Sequence, residues 1–141
     1  MKLTPITDTF TVASQPEASE IATLGEHGTR LLINNRPEHE EPDQPESITE
    51  ATAAEAAGLR YRHIPVTGGS ITRADVEAFG QALREAGGPV VAHCRSGTRS
   101  LTLWVIGEVL DGRMSRDDVI AFGAERGFDL SGALRWLQAN A

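Results

Sequence analysis

Pro89-Val90-Val91-Ala92-His93-Cys94-Arg95-Ser96-Gly97-Thr98-Arg99-Ser100-Leu101 is the stretch that decides the fold. Its first five residues are an apolar run of strand length, and Ser100 to Leu110 reads as a strongly apolar helix. The polar segment between them therefore joins the C-terminal end of a strand to the N-terminus of a helix. In open α/β sheets ligands bind at that edge. A helix N-terminus offers unpaired N–H groups and roughly half a positive charge. Gly97 permits a positive φ, so that several amides can turn inward together.

Cys94 stands at the start of this loop. A free thiol titrates near about 8.5, and helix N-termini and neighbouring arginines lower such values to roughly 3.5–7.5. Arg99 offers a bidentate fork for an oxyanion, and Arg95 adds positive field at the rim. The amides from Arg95 through Ser96, Gly97 and Thr98 to Ser100 form the cradle. Ser100 can donate to the thiolate or cap the helix. A core cysteine has no use for two arginines and a glycine in the next five residues. The pattern reads instead as an activated nucleophile inside an anion site. His93 either orients the loop from behind or is a strand-end residue satisfied by backbone.

Outward from the loop, apolar runs alternate with helical patterns. Strands are predicted at Thr9 to Ala13, Arg30 to Asn34, Tyr61 to Val66 and Pro89 to His93, with Pro65 at the end of its strand because it cannot donate to a ladder. Helices are predicted at Pro16 to Glu26, Ser47 to Ala57, Thr72 to about Ala86, Ser100 to Leu110, a segment opened by Ser115, and Gly132 to Leu137. Ser47 with Glu50, Thr72 with Asp75 and Ser115 with Asp118 have capping-box spacing. Gly25, Gly58, Gly87, Gly112 and Gly127 are expected as helix C-caps. Arg36 to Pro45 holds three prolines among acids and must be a loop. Strands alternating with helices predict βαβ units and a mostly parallel sheet. Trp104 and Trp136 are expected in the core, and His63 as a satisfied strand histidine.

The chain has 141 residues, one domain's length, and residues 1–141 are read as a single domain. Its 13 Lys+Arg against 20 Asp+Glu give a formal charge of −7, which argues against nucleic-acid or anionic-membrane surfaces. A single cysteine excludes an internal disulfide, a Cys-rich zinc site and a resolving thiol within the chain. No apolar run reaches the roughly 18 residues needed to span a bilayer. The N-terminus has no apolar signal region, so a cytoplasmic location is expected. His39 among Glu38, Glu40 and Glu41 fits no strong metal-ligand spacing, and neither metal nor cofactor is expected.

The cysteine loop resembles that shared by protein tyrosine and dual-specificity phosphatases and by rhodanese sulfurtransferases. From Phe10 to Leu110 the chain resembles the beta-lactamase hydrolase-like, phosphatase-like domain family of bacteria. The landmarks are Ile33-Asn34-Asn35-Arg36-Pro37, Ile64-Pro65-Val66-Thr67-Gly68-Gly69 and the Cys94 loop, in that order. The resemblance implies a three-layer, tyrosine-phosphatase-like α/β fold, its central, mostly parallel sheet of four or five strands flanked by helices. Asn34, Asn35 and Arg36 follow a strand and are expected at the same sheet edge as Cys94, a placement the resemblance supports: either Arg36 binds a substrate anion and Asn34 or Asn35 bonds to the loop, or the three are a strand-exit turn. Some members are described as sulfur transferases fused to or encoded beside persulfide-handling enzymes, which implies such a partner.

Two departures from the phosphatase pattern direct the functional expectation. That pattern has five residues between cysteine and arginine, whereas four separate Cys94 from Arg99, as in rhodanese loops. The general-acid aspartate expected shortly after Ile64-Pro65-Val66 is missing from Thr67-Gly68-Gly69-Ser70. Phosphomonoester cleavage needs an acid for the leaving oxygen; Asp43, Glu46 and Asp75 are candidates, and Asp75 is better explained as a helix cap. Sulfur transfer needs a thiolate and an anion cradle but no obligatory acid. The leading expectation is a sulfurtransferase carrying a persulfide on Cys94 and taking sulfur from a small-molecule donor. The alternative is a phosphatase forming a cysteinyl-phosphate from a phosphorylated substrate. A third reading is an anion-binding or regulatory domain with an inactive loop.

Overall fold

The computed structural model describes residues 1–140. Five strands, β1 (Leu3–Pro5), β2 (Phe10–Ala13), β3 (Leu31–Asn34), β4 (Arg60–His63) and β5 (Val90–His93), form one sheet in the order β1-β2-β5-β3-β4. Pairings of β2 with β5, β5 with β3 and β3 with β4 are parallel, and only the β1 hairpin edge is antiparallel. β1 was not expected: three residues ending in Pro5 carry too little apolar pattern to announce a strand. β4 stops at His63, two residues short of Pro65, in line with the missing N–H.

Alternation along the central strands sorts their side chains between two cores. Leu31, Ile33, Val90 and Ala92 face α3 (Arg73–Glu85), α4 (Thr98–Leu110), α5 (Val119–Glu125) and α6 (Ser131–Asn140). Leu32 and Val91 face α1 (Ala18–Glu26) and α2 (Ser47–Ala56) through Ile21, Leu24 and Ala54. The result is the expected three-layer α/β arrangement. Trp104 and Trp136 lie at the margin of the larger core rather than within it. Trp104 stacks between Phe10 and Phe122, and the Trp136 indole N–H donates to the Ile71 carbonyl at 2.8 Å.

The capping expectations divide. Thr72 and Asp75 form the full reciprocal box. The Ser115 hydroxyl accepts from the Asp117 amide, opening a short 3-10 turn (Arg116–Asp118) ahead of α5. Ser47 does not pair with Glu50: it is the first helical residue, and its amide and hydroxyl both donate to Glu38 at 2.9 and 2.7 Å. Gly25 is not a cap either. It lies within α1, where an added Cβ would stand 2.3 Å from the Ala57 carbonyl oxygen, so its glycine lets α1 and α2 approach.

Candidate active site

Because β2, β5 and β3 run parallel, their C-terminal ends share one edge. The backbone ties the segments leaving them together: the Gln15 amide donates to the Arg95 carbonyl at 3.2 Å, and the Asn35 amide to the His93 carbonyl at 2.7 Å. Cys94 sits at the floor of this junction, 1% exposed. The Gly97 N–H donates to its Sγ at 3.1 Å. Gly97 holds φ +102° as the residue preceding α4, and an added Cβ would press on the Phe128 ring at 3.3 Å and the Ala13 carbonyl at 3.5 Å. A left-handed residue here turns the loop amide onto the sulfur, the local geometry of an anion cradle.

Arg99 projects from the first turn of α4 over the cysteine. Its Nη1 and Nη2 form an end-on fork with Glu40 at 2.7 and 2.9 Å, and Nη1 also donates to the Val66 carbonyl at 3.1 Å. The bond to Glu40, with the nearby Cys94 assisting, outweighs burial and strengthens the guanidinium's hold on its proton. The Cys94 sulfur is also within reach of the Arg99 guanidinium. Arg99 in turn holds the Glu40 carboxyl down at about 2, with Arg36 assisting. Glu40 is therefore ionised at neutral pH. Arg95 is 68% exposed at the rim, with Nε 3.2 Å from Glu41.

Behind the loop lies a buried polar layer. Arg36 is 3% exposed and spends its guanidinium on Glu40 (2.9 Å), Gln15 (3.0 Å) and Glu41 (2.5 Å). It organises the 38–46 loop and is not an open anion receptor. Asn34 accepts from the Arg36 amide and donates to Tyr61, while Asn35 donates to the Ile64 carbonyl and accepts from the Ser100 hydroxyl at 2.8 Å. Asn35 is thus the asparagine that touches the catalytic loop, and Ser100 neither caps α4 nor reaches the thiolate. The Ser96 and Thr98 hydroxyls lie 3.2 Å apart on the loop's outer side. His63 accepts its expected structural part, its Nε2 lying 2.8 Å from the Arg36 carbonyl.

His93 is fully buried, with Nδ1 3.2 Å from the Cys94 carbonyl and Nε2 2.7 Å from Glu50. Of its two readings, the second-layer role is the one these contacts fit. Glu50 also accepts from Gln15 at 2.6 Å and from Tyr61 at 3.3 Å. Burial, and then the Glu50 charge, push the Tyr61 hydroxyl well above the usual phenol range. Gln15, Glu40, Glu41, Glu50 and Tyr61 all went unassigned to the site in the sequence. The 38–46 loop was the one signal available, since its acids follow a strand that ends at the site edge. Asp75 is occupied as a helix cap, as expected.

A polar cleft of about 390 Å³ opens beside the loop, lined by Gln15, Arg36, Glu41, Asp43 and Arg95 among others. The Gly97 amide and the Arg99 guanidinium beside the buried sulfur are the groups that suit an anion here, while Glu40 and Glu41 occupy the surrounding arginines.

The chain is similar to several known proteins. The chain is 50% identical over its whole length to the beta-lactamase hydrolase-like protein of Agrobacterium fabrum, of which it covers 33%. It spans about a third of the length of the curated relatives it matches. Among solved structures it is similar to a candidate phosphatase from Neisseria meningitidis, with 30% identity, a TM-score of 0.85 and 96% coverage of both chains. It shares the fold of the core catalytic domain of the PP-IP phosphatase SIW14 from S. cerevisiae, with 16% identity, a TM-score of 0.73, and coverage of 96% of this chain and 83% of that one. The family model described as beta-lactamase hydrolase-like protein, phosphatase-like domain, matches residues 2–111, and with it every site residue above. The chain belongs to this phosphatase-like family.

Proposed function

We propose that this domain is a cysteine-dependent phosphatase in which Cys94 is the nucleophile. The observation that carries the reading is the buried Cys94 sulfur, which receives the Gly97 amide at 3.1 Å beneath the Arg99 guanidinium. The family's description and the structural relatives named above support phosphoryl chemistry. They support it over the sulfur transfer that the sequence placed first, for which they offer nothing.

The chemistry follows from the groups present. The Cys94 thiolate attacks phosphorus, the bond to the ester oxygen breaks, and a cysteinyl-phosphate forms. The Gly97 amide and the Arg99 guanidinium stabilise the equatorial oxygens. The leaving oxygen needs a proton, and Glu40 is the carboxyl placed to supply it. In the resting site Arg99 keeps Glu40 ionised. A bound phosphate draws on Arg99 and sets negative charge beside Glu40, and both effects raise that carboxyl's proton affinity. The substrate monoanion's own proton then passes through Glu40 to the departing alkoxide. Water hydrolyses the cysteinyl-phosphate to inorganic phosphate and restores the thiolate.

Sulfur transfer is the second reading, and the four-residue spacing from Cys94 to Arg99 together with the acid-free turn at Thr67–Ser70 favours it. There the thiolate attacks the outer sulfur of a persulfide or thiosulfate. The donor's S–S bond breaks, its thiol or sulfite leaves, and the persulfide on Cys94 passes to an acceptor thiolate. Steady-state release of phosphate from aryl phosphates, set against transfer of sulfur from thiosulfate to cyanide, separates the two. Phosphate release that is lost in Cys94→Ser supports the first, and thiocyanate formation without phosphate release replaces it with the second.

A further inference from the structure

The chemistry above leaves one buried carboxylate without a part. Glu50, in the first turn of α2, is 3% exposed, and no lysine or arginine bonds to it among the described residues. An ionised carboxylate out of water costs several kcal/mol unless a counter-charge meets it. From β5 it faces His93, from β4 Tyr61, and from the segment after β2 the neutral Gln15, beyond which Arg36 bonds the other end of the same amide. His93 is the one directly bonded partner able to carry positive charge.

The imidazole geometry supports that assignment. Nε2 lies 2.7 Å from a Glu50 oxygen, and Nδ1 lies 3.2 Å from the Cys94 carbonyl oxygen. The Cys94 carbonyl only accepts, so the bond at Nδ1 places a hydrogen there. One more proton belongs to the short Glu50–Nε2 bond, and it sits on the imidazole when the carboxyl is ionised. A chain of hydrogen bonds thus runs from the buried Arg36 through Gln15, Glu50 and His93 to the backbone of the nucleophile.

We infer that Glu50 and His93 form a buried carboxylate–imidazolium pair, whose positive end bonds the Cys94 peptide and keeps the sulfur reactive, so that Glu50 is a positioning residue for the nucleophile. The inference rests on Cys94 being the nucleophile, and not on which group it transfers. A hydrogen bond from a charged donor contributes about 1.5–3 kcal/mol, so weakening it should slow Cys94 by roughly tenfold or more.

The test uses the full chain. Nitrogen-15 NMR of wild type at pH 7 should show both His93 ring nitrogens protonated. Iodoacetamide alkylation of Cys94, followed across pH, should be about tenfold slower in Glu50→Gln at pH 7. Its rate profile should move to higher pH, and Glu50→Asp should recover part of the loss. A neutral His93 tautomer in wild type, or a Glu50→Gln profile that superimposes on wild type, overturns the inference. If Glu50→Gln does not fold, the wild-type NMR decides alone. Should wild-type Cys94 react no faster than cysteine in a short peptide, the nucleophile reading itself fails, whatever Glu50 does.

Discussion

Replacing Glu40 with glutamine tests the electrostatics of the mouth quantitatively. The side chain bonds Arg99 at 2.7 and 2.9 Å and Arg36 at 2.9 Å, and these contacts lower its carboxyl from 4.5 to about 2. A sheltered interaction of that size would be worth roughly 3 kcal/mol. The Glu40 side chain is 28% exposed and its residue as a whole lies open to solvent, and screening by water reduces the figure to about 1–2 kcal/mol. Because the folded-state value is depressed, the stabilisation is complete above the unfolded carboxyl's range and is lost as pH falls toward the folded value. Glu40→Gln should therefore be less stable than wild type by about 1–2 kcal/mol at pH 7, a fall of roughly 3–7 °C in Tm for a domain of this length. Urea unfolding at stepped pH should show the gap shrinking below about pH 5 and closing toward pH 2. A gap of the same size at pH 7 and pH 3, or none at pH 7, would refute the ion-pair reasoning. In turnover the same variant should lose far more on alkyl phosphates than on aryl phosphates with good leaving groups, because only the former depend on a proton from Glu40. Equal losses on both would remove Glu40 as the acid.

Two other substitutions probe the loop and its support. Gly97→Ala forces an L-residue into φ +102° against the Phe128 ring; it should cost about 1–3 kcal/mol, and Cys94 alkylation should slow as the amide leaves the sulfur. Ser100→Ala removes the one hydroxyl bonded to the buried Asn35 Oδ1, and urea unfolding should register about 1–3 kcal/mol. Its Cys94 alkylation rate should stay near wild type, since the hydroxyl does not touch sulfur; slowed alkylation without loss of stability would contradict that placement.

The parts of this molecule legible in its sequence are those fixed by local chemistry. Val90 to His93 is apolar on both faces because helices cover both faces, and its exit into Cys94 and Gly97 announces a loop at a sheet edge. Thr72 with Asp75 met its capping expectation because nothing else competes for those groups. Ser47 with Glu50 has the same spacing and failed, because His93 takes the carboxylate and Glu38 takes the serine. His93 is distant in sequence and reaches Glu50 only because β5 pairs beside β3, whereas Glu38 lies nine residues before Ser47 in the loop that leads into α2. Arg36 was read either as a substrate-anion ligand or as part of a strand-exit turn. Two acids of the following loop, Glu40 and Glu41, and the distant Gln15 bury its guanidinium, and no pattern within Asn34-Asn35-Arg36-Pro37 encodes that. Glu40 was visible only as one acid in an acidic loop, and the turn through His39, at φ +60°, is what brings it back over Arg99.

The central claim is that Cys94 covalently accepts a phosphoryl group, and the most direct test is intact mass spectrometry of acid-quenched protein during turnover of an aryl phosphate, with thiosulfate as a parallel donor. The account predicts that wild type transiently gains the mass of one phosphoryl group on Cys94 and that Cys94→Ser gains nothing. A wild-type protein that stays unmodified by the phosphate ester but gains a single sulfur from thiosulfate would contradict it and establish persulfide chemistry on the same cysteine.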